Sequence, residues 1–211
     1  KLVEDCAQAI GSNYMSKKVG TFGDYGCYSF FPTKNLSAIG DAGAITCKKK
    51  RDYNKLLRIR QYGWNKNRIS NSIGINSRCD ELQAAILNVK IPKIDNFIKR
   101  RNFIAKKYNK ILKDLPLILP KINPLVYHSF HLYVIRVKKS LRDHLINYMK
   151  KHKIYLGIHY KTPCHLMPNF KKKNIKLKFT EKICNEIVSL PIYPELKFSE
   201  IIKITSLIKN F

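Results

Sequence analysis

The sequence predicts an α/β chain in two parts, on three observations. Short β-like runs bounded by Gly, Pro and Asp lie near the N-terminus, an apolar pattern of helical period starts at Asp80, and strand-like and helix-like runs then alternate to the C-terminus. At 211 residues and 45% hydrophobic content, the chain is long enough for one sizeable domain or two small ones.

The first strands are expected at 26–31 and 42–47, each flanked by turn residues, with Lys34 in the loop between them. From Asp80 onward Leu82, Ala85, Ile86 and Val89 share one helical face. After Pro92 the pattern resumes with Ile94, Phe97, Ile98, Ile104, Ala105, Tyr108 and Ile111, which predicts two helices kinked at the proline. Residues 115–120 read as a linker or edge segment, because Pro116 and Pro120 lack ladder donors. A strand over 131–137, an amphipathic helix over 141–151, a strand over 155–159 and helices over 180–188 and 199–208 complete the expectation. No internal repeat occurs, and the plausible boundary region is 90–120, so the expected domains are 1–92 and 93–211.

Lys and Arg number 41 against 14 Asp and Glu, a formal charge of +27. Residues 1–47 are nevertheless balanced, with Lys1, Lys17, Lys18 and Lys34 against Glu4, Asp5, Asp24 and Asp41, so the excess sits in the remainder. The 32 Lys, 17 Asn and 27 Ile are the bias that AT-rich codons impose on permissive positions. Aromatic and basic residues do not interleave as a stacking groove requires, which favours a solvated lysine-rich surface over a nucleic-acid footprint. The six cysteines form no C-x-x-C pair and no tight Cys/His cluster, so neither a zinc site nor a disulfide framework is indicated; free thiols in a cytoplasmic protein fit best. No apolar run is long enough for a membrane span, and no leader pattern is present. Because the sequence opens at Lys1 in an apolar-acidic run, the start of the natural protein is expected to be missing.

Special residues are densest in 3–9, 20–26, 29–36 and 40–44. A lysine in a loop after an apolar strand, flanked by Pro, Thr and Gly, can be held partly desolvated, where its amine becomes nucleophilic and forms Schiff bases. One lysine among 32 is, on that ground alone, as a rule a surface charge.

The segments VEDCAQAIGS, KKVGTFGDYGCYSFFPTKNLSAIGDAGAI, RQYGW, GINSRCDELQAAIL, YHSFHLYVIR, GIHYKTPCHLMP and SLPIYPEL, in that order, resemble successive motifs of the DegT/DnrJ/EryC1/StrS aminotransferases. The resemblance runs from Val3 to about Leu196. It implies part of the large domain of a pyridoxal 5'-phosphate-dependent transferase, with a mixed, mostly parallel sheet, followed by a smaller α+β C-terminal domain. The implied reaction moves an amino group from an amino acid such as L-glutamate to a nucleoside-diphosphate keto-sugar, for polysaccharide or glycoside biosynthesis. RQYGW and GINSRCDELQAAIL most resemble members acting at C3 of dTDP-3-keto-6-deoxyhexoses.

By the same resemblance Lys34 matches the lysine that binds the cofactor covalently and shuttles the substrate proton. Asp5 matches the carboxylate, buried in such a site, that pairs with the pyridine nitrogen, and Gln8 the glutamine near the ring and its phenolic oxygen. Ser29 matches a hydroxyl donor to the cofactor phosphate. Asn76 matches an asparagine that reaches the phosphate from a neighbouring subunit, which implies a homodimer. His159, Tyr160 and His165 lie in a segment near the sugar-nucleotide entrance, although a histidine beside a strand serves equally well as a satisfied structural group. Arg78 and Asp80 read either as substrate contacts or as a helix cap with a local ion pair. Family members run longer, and the upstream part would supply a phosphate-cradling helix start and a ring-stacking aromatic. The isolated chain is therefore expected to be nearly inactive, and open sheet edges would leave it marginally stable. Two rival readings stand beside this one: a non-catalytic regulatory member of the family, and a basic nucleic-acid-binding module.

Overall fold

The computed structural model describes residues 1–170 and 175–211. Their contacts divide into two units, Lys1–Lys99 with Asn123–His131, and Arg100–Ile122 with Leu132–Phe211. The division falls inside a helix and returns a short later segment to the first unit, where the sequence reading placed one cut between 92 and 93.

In the first unit Val3–Asp5 (β1) leads to a small hairpin, Asn13–Tyr14 (β2) and Lys17–Lys18 (β3). Met15 and Ser16, with φ of 47° and 61°, make its two-residue turn; positive φ at both central positions matches the right-handed twist of paired strands. Tyr25–Ser29 (β4) and Gly43–Cys47 (β5) follow, within two residues of the bounds expected at each end. β4 is central: β1 runs parallel to it, with Asp5 opposite Cys27, and β5 antiparallel, with Ser29 opposite Gly43. The sheet is thus mixed.

Lys50–Ile59 (α1) is a helix that the sequence reading did not include. Its signal is present in Tyr53, Leu56, Leu57 and Arg60, spaced for one face, but it is diluted by the flanking Lys and Arg. Glu81–Lys90 (α2) and Ile94–Leu112 (α3) form the predicted pair, joined by a 3-10 turn, Ile91–Lys93, in which Pro92 needs no amide donor. Val126–Tyr127 (β6) pairs with β2.

The second unit is built on Tyr133–Arg136 (β7) and the helix Lys139–Lys151 (α4), followed by Lys178–Cys184 (α5), Ile187–Leu190 (β8) and Phe198–Lys209 (α6). β7 and β8 pair antiparallel, Ile135 opposite Val188. Tyr133, Ile135, Leu145, Met149, Val188 and Ile201 are fully buried and form the core. Two expectations need correction here. The helix expected over 180–188 stops at Cys184, because Ile187 and Val188 are β-branched and all four residues of β8 are buried, which suits a strand covered on both faces. The strand expected over 155–159 shrinks to one bridge, Gly157 to Ser189. His159 folds back over Gly157, its Cε1 lying 2.6 Å from where a Cβ would stand, so the segment turns instead of extending. Among the described residues no helix is long and apolar enough to cross a membrane.

Candidate active site

After Ser29 the chain crosses from β4 to β5 through residues 30–42. Both feet of this loop are pinned: the Phe30 amide donates to the Ala42 carbonyl and the Ala38 amide to the Phe30 carbonyl, each at 2.8 Å. The Lys34 amide closes a turn on the Phe31 carbonyl, also at 2.8 Å. Asn35, Leu36 and Ala38 are buried; Asn35 Nδ2 donates to the Ser129 carbonyl at 3.1 Å, and Leu36 and Ala38 pack on Leu87 of α2. With its neighbours anchored inward, Lys34 is left half-buried on an open cleft of about 980 Å³.

The cleft lies between the β4 and β5 strands, α1 and residues 75–79. Its polar lining is Ser29, Lys34, Asp41, Arg60, Asn76, Ser77 and Arg78, with Tyr53, Tyr28 and two cysteines among the rest. Of the chain's 32 lysines only Lys34 lines it, among the described residues. Lys34, Asp41, Arg60 and Arg78 are held in no ion pair among the described residues. Three cations facing one carboxylate make a cleft that attracts an anion.

Residues 75–79 are placed by an antiparallel contact with the end of α1. The Ile75 amide donates to the Ile59 carbonyl at 2.8 Å and the Ser77 amide to the Arg60 carbonyl at 2.9 Å, with Gln61 opposite Asn76. The return is tight: Gly63 has φ of 73°, and a side chain there would strike the Ser72 carbonyl. Asn76 is exposed and its Oδ1 accepts from Arg78 Nε at 3.2 Å. Asp80 opens α2 without a side-chain cap, so the cap-and-ion-pair reading of Arg78 and Asp80 is not what the fold uses.

Ser29 Oγ accepts from the Phe31 amide at 3.3 Å, and its own hydrogen is left to donate. Asp5 ends β1 in register with Cys27, a cleft residue; its Oδ1 accepts from the Ala7 amide at 3.0 Å. Asp5 is exposed here, not buried as the resemblance implies, because β1 has a strand on one side alone among the described residues. Gln8 is also exposed, and neither residue lines the cleft. The cleft therefore gathers Ser29, Lys34 and Asn76, while Asp5 and Gln8 stand on the neighbouring strand and the turn after it.

His159, Tyr160 and His165 belong to the second unit. His159 Nδ1 lies 2.8 Å from Ser189 Oγ, and Tyr160 packs edge-on to the His159 ring. His165 Nε2 lies 3.0 Å from Glu181 Oε1; the hydrogen bond from His165, then that from the Leu177 amide, lowers the Glu181 pKa. Both histidines thus have structural partners. Among the described residues no three His, Cys, Asp or Glu side chains are grouped to hold a metal ion.

Sequence reasoning missed Tyr53, hidden in the unrecognised α1, and gave no individual role to Glu4 or to Arg60, which follows α1 and opens RQYGW. Glu4 Oε2 accepts from the Gly20 amide at 2.7 Å, and Oε1 from Phe22 and Gly23 at 2.7 and 2.6 Å. It fastens the turn that feeds β4. Burial pushes the Glu4 carboxyl up, but the three amides and the Lys48 charge outweigh it and hold the pKa below the ordinary glutamate value. A lowered folded-state pKa gives stability that is full above the unfolded value and is lost as pH falls through the folded one. Glu4→Gln is therefore expected to melt below wild type at neutral pH, by about 1 kcal/mol or more. The gap should close on acidification below about pH 4; a gap constant with pH in thermal melts would contradict this.

A sequence model of the DegT/DnrJ/EryC1/StrS aminotransferase family matches residues 1–209. The chain is 41% identical over 202 residues to the "pleiotropic regulatory protein" of Geobacillus stearothermophilus, covering 93% of this chain and 54% of that protein. It is 38% identical over 205 residues to a dTDP-3-amino-3,4,6-trideoxy-α-D-glucose transaminase of Micromonospora megalomicea subsp. nigra, with the same coverage of 93% and 54%. The crystal structure of S. venezuelae DesV, in complex with a ketimine intermediate, superposes with a TM-score of 0.93 at 30% identity, covering 99% of this chain and 57% of that one. The chain spans about half the length of the curated relatives it matches. It belongs to the DegT/DnrJ/EryC1/StrS aminotransferase family.

Proposed function

We propose that the full-length gene product is a pyridoxal 5'-phosphate-dependent aminotransferase acting on a nucleoside-diphosphate keto-sugar, with an amino acid such as L-glutamate as donor. The observation that carries this reading is the half-buried Lys34, the one lysine among the described residues lining a cleft that also presents serine hydroxyls and two guanidinium groups. That donor set fits a cofactor bearing an aldehyde and a phosphate. Bound there, the cofactor supplies the carbonyl that receives the amino group and a ring that takes up electrons from the substrate carbon.

Lys34 Nζ serves as the cleft's amine nucleophile and as the base that removes and returns the proton at the substrate carbon. The Ser29 hydroxyl donates to the phosphate, and Asp5 holds the proton of the ring nitrogen. Gln8 hydrogen-bonds near the ring without adding charge. We assign Asn76 to the phosphate of a partner subunit in a homodimer. Its solvent exposure, and that of Ile73 three residues earlier in the chain, 95% exposed, support a partner at this place, although the residue also lines its own chain's cleft. His159, Tyr160 and His165 are assigned to the sugar-nucleotide side. The six free thiols fit a reducing cytoplasm. The transaminase relative supports a 3-keto dTDP-sugar as substrate.

Mixing Lys34→Ala and Asn76→Ala subunits tests the shared site. Two inactive variants should recover activity on forming mixed dimers, each of which holds one intact site; no recovery in mixed dimers would place Asn76 in its own chain's site.

The similarity to a regulatory protein favours a second reading, a non-catalytic member. Retention of Lys34 and Ser29 on one cleft argues against it. The two are separated by incubating the cofactor-loaded, full-length gene product with L-glutamate and dTDP- or UDP-3-keto-sugars. Aminated sugar nucleotide formed in step with 2-oxoglutarate is expected; cofactor retained without amino transfer to any of them would favour the regulatory reading.

A further inference from the structure

We propose that Gln83 is a positioning residue for Lys34, and that α2 acts through it as a rigid tie between the two walls of the cleft. Gln83 Oε1 accepts two successive loop amides, Ile39 at 2.9 Å and Gly40 at 3.1 Å. The next turn of the same helical face presents Leu87, which packs on Leu36 and Ala38. Lys90 follows, its Nζ donating to the Ser37 carbonyl at 2.7 Å and bonding Ser37 Oγ at 3.0 Å. Residues 83, 87 and 90 have the spacing of one helix face, so an acceptor, an apolar side chain and a cation all grip the five residues that follow Lys34 by two to six positions. The approach is close: a Cβ at Gly40 would stand 2.8 Å from Gln83 Nε2 and displace the amide end of that side chain.

The N-terminal end of α2 begins at Glu81, directly after Asn76, Arg78 and Cys79 on the opposite wall of the cleft. One ten-residue helix is thus joined covalently to one wall and hydrogen-bonded to the other. Gln83 is the third residue of that helix. It does not line the cleft, so its action on Lys34 is indirect: it fixes the loop's returning limb, and with it the place of Lys34 Nζ in the cleft. Misplacing a catalytic group by an ångström costs on the order of 100-fold in rate.

This inference rests on the aminotransferase reading for its kinetic consequence, but its structural core is testable without cofactor. Gln83→Leu removes the acceptor, whereas Gln83→Glu keeps two oxygens for the same amides. In the full-length gene product, amide exchange of the peptide holding Ile39 and Gly40 should speed up at least about tenfold in Gln83→Leu and stay near wild type in Gln83→Glu. With cofactor bound, Gln83→Leu should lower kcat by about 10- to 100-fold, leave KM for the sugar nucleotide nearly unchanged, and shift the pH midpoint of the cofactor's absorbance band. Met149→Ala, in the buried core of the second unit, is the control: it should lower the melting temperature without moving that midpoint. Unchanged exchange at 39–40 in a folded Gln83→Leu protein, or a midpoint and kcat that track Met149→Ala, would overturn the proposal. Faster exchange with no cofactor band even in wild type would leave the tie standing and overturn the aminotransferase reading instead.

Discussion

Lys34→Ala in the full-length gene product should lose turnover by 10²- to 10⁴-fold or more, the range expected for removing a positioned acid/base, and should no longer hold cofactor covalently. The side chain is half-buried and its loop is pinned on both sides, by Phe30 to Ala42 and by Asn35 to the Ser129 carbonyl. The substitution removes an amine that no ion pair among the described residues depends on, so thermal stability of the cofactor-free protein should change by less than about 0.5 kcal/mol. Activity and stability are thereby separable. A variant with near-normal turnover would exclude Lys34 from the chemistry, and one that failed to fold would show that the amine has a structural partner.

Gly26→Ala should be among the most destabilising single substitutions in the first unit. Gly26 is the second residue of β4, the central strand, flanked by Glu4 on β1 and Thr46 on β5. A methyl group there would stand 2.6 Å from Gly20 Cα, 2.5 Å from the Gly20 carbonyl oxygen and 2.8 Å from Thr46 Oγ1. Two of those three atoms are backbone and cannot rotate away. Overpacking of this kind costs about 1–3 kcal/mol, and the rigid contacts place it at the upper end. For a protein of this size that lowers the melting temperature by roughly 6–12 °C. The Glu4 clamp would be loosened as well, since the Gly20 amide it holds belongs to the same turn. A Gly26→Ala protein melting within a degree or two of wild type would show that the turn over 20–23 yields easily, contrary to its three short bonds to Glu4.

Much of this architecture is legible along the chain. β4 and β5 are short, apolar and bounded by turn residues, and the helix pair around Pro92 has clear apolar spacing. What escaped the sequence did so for physical reasons. α1 is a helix whose apolar stripe is one side of a segment dominated by Lys and Arg, so its charge masked its period. β8 looks helical because Ile183, Ile187 and Val188 have helical spacing, while its strand conformation is decided by pairing with β7, some fifty residues away. The site divides in the same manner. Lys34, Ser29 and Asn76 were named from motifs, and the fold brings them onto one cleft. The roles of Arg60, Glu4 and Gln83 depend on contacts over sequence separations of sixteen residues or more, which no local pattern encodes. Asp5 shows the converse: its motif is clear, yet its exposure on β1 could not be read from residue type.

The central claim is that one lysine of 32 is the covalent anchor of the cofactor. The direct test is borohydride reduction of the full-length gene product loaded with pyridoxal 5'-phosphate, followed by proteolysis and peptide mass mapping. The account predicts a reduced cofactor adduct confined to the peptide containing Lys34, and none there in Lys34→Ala. An adduct spread over surface lysines, or no adduct in a folded protein, would contradict it.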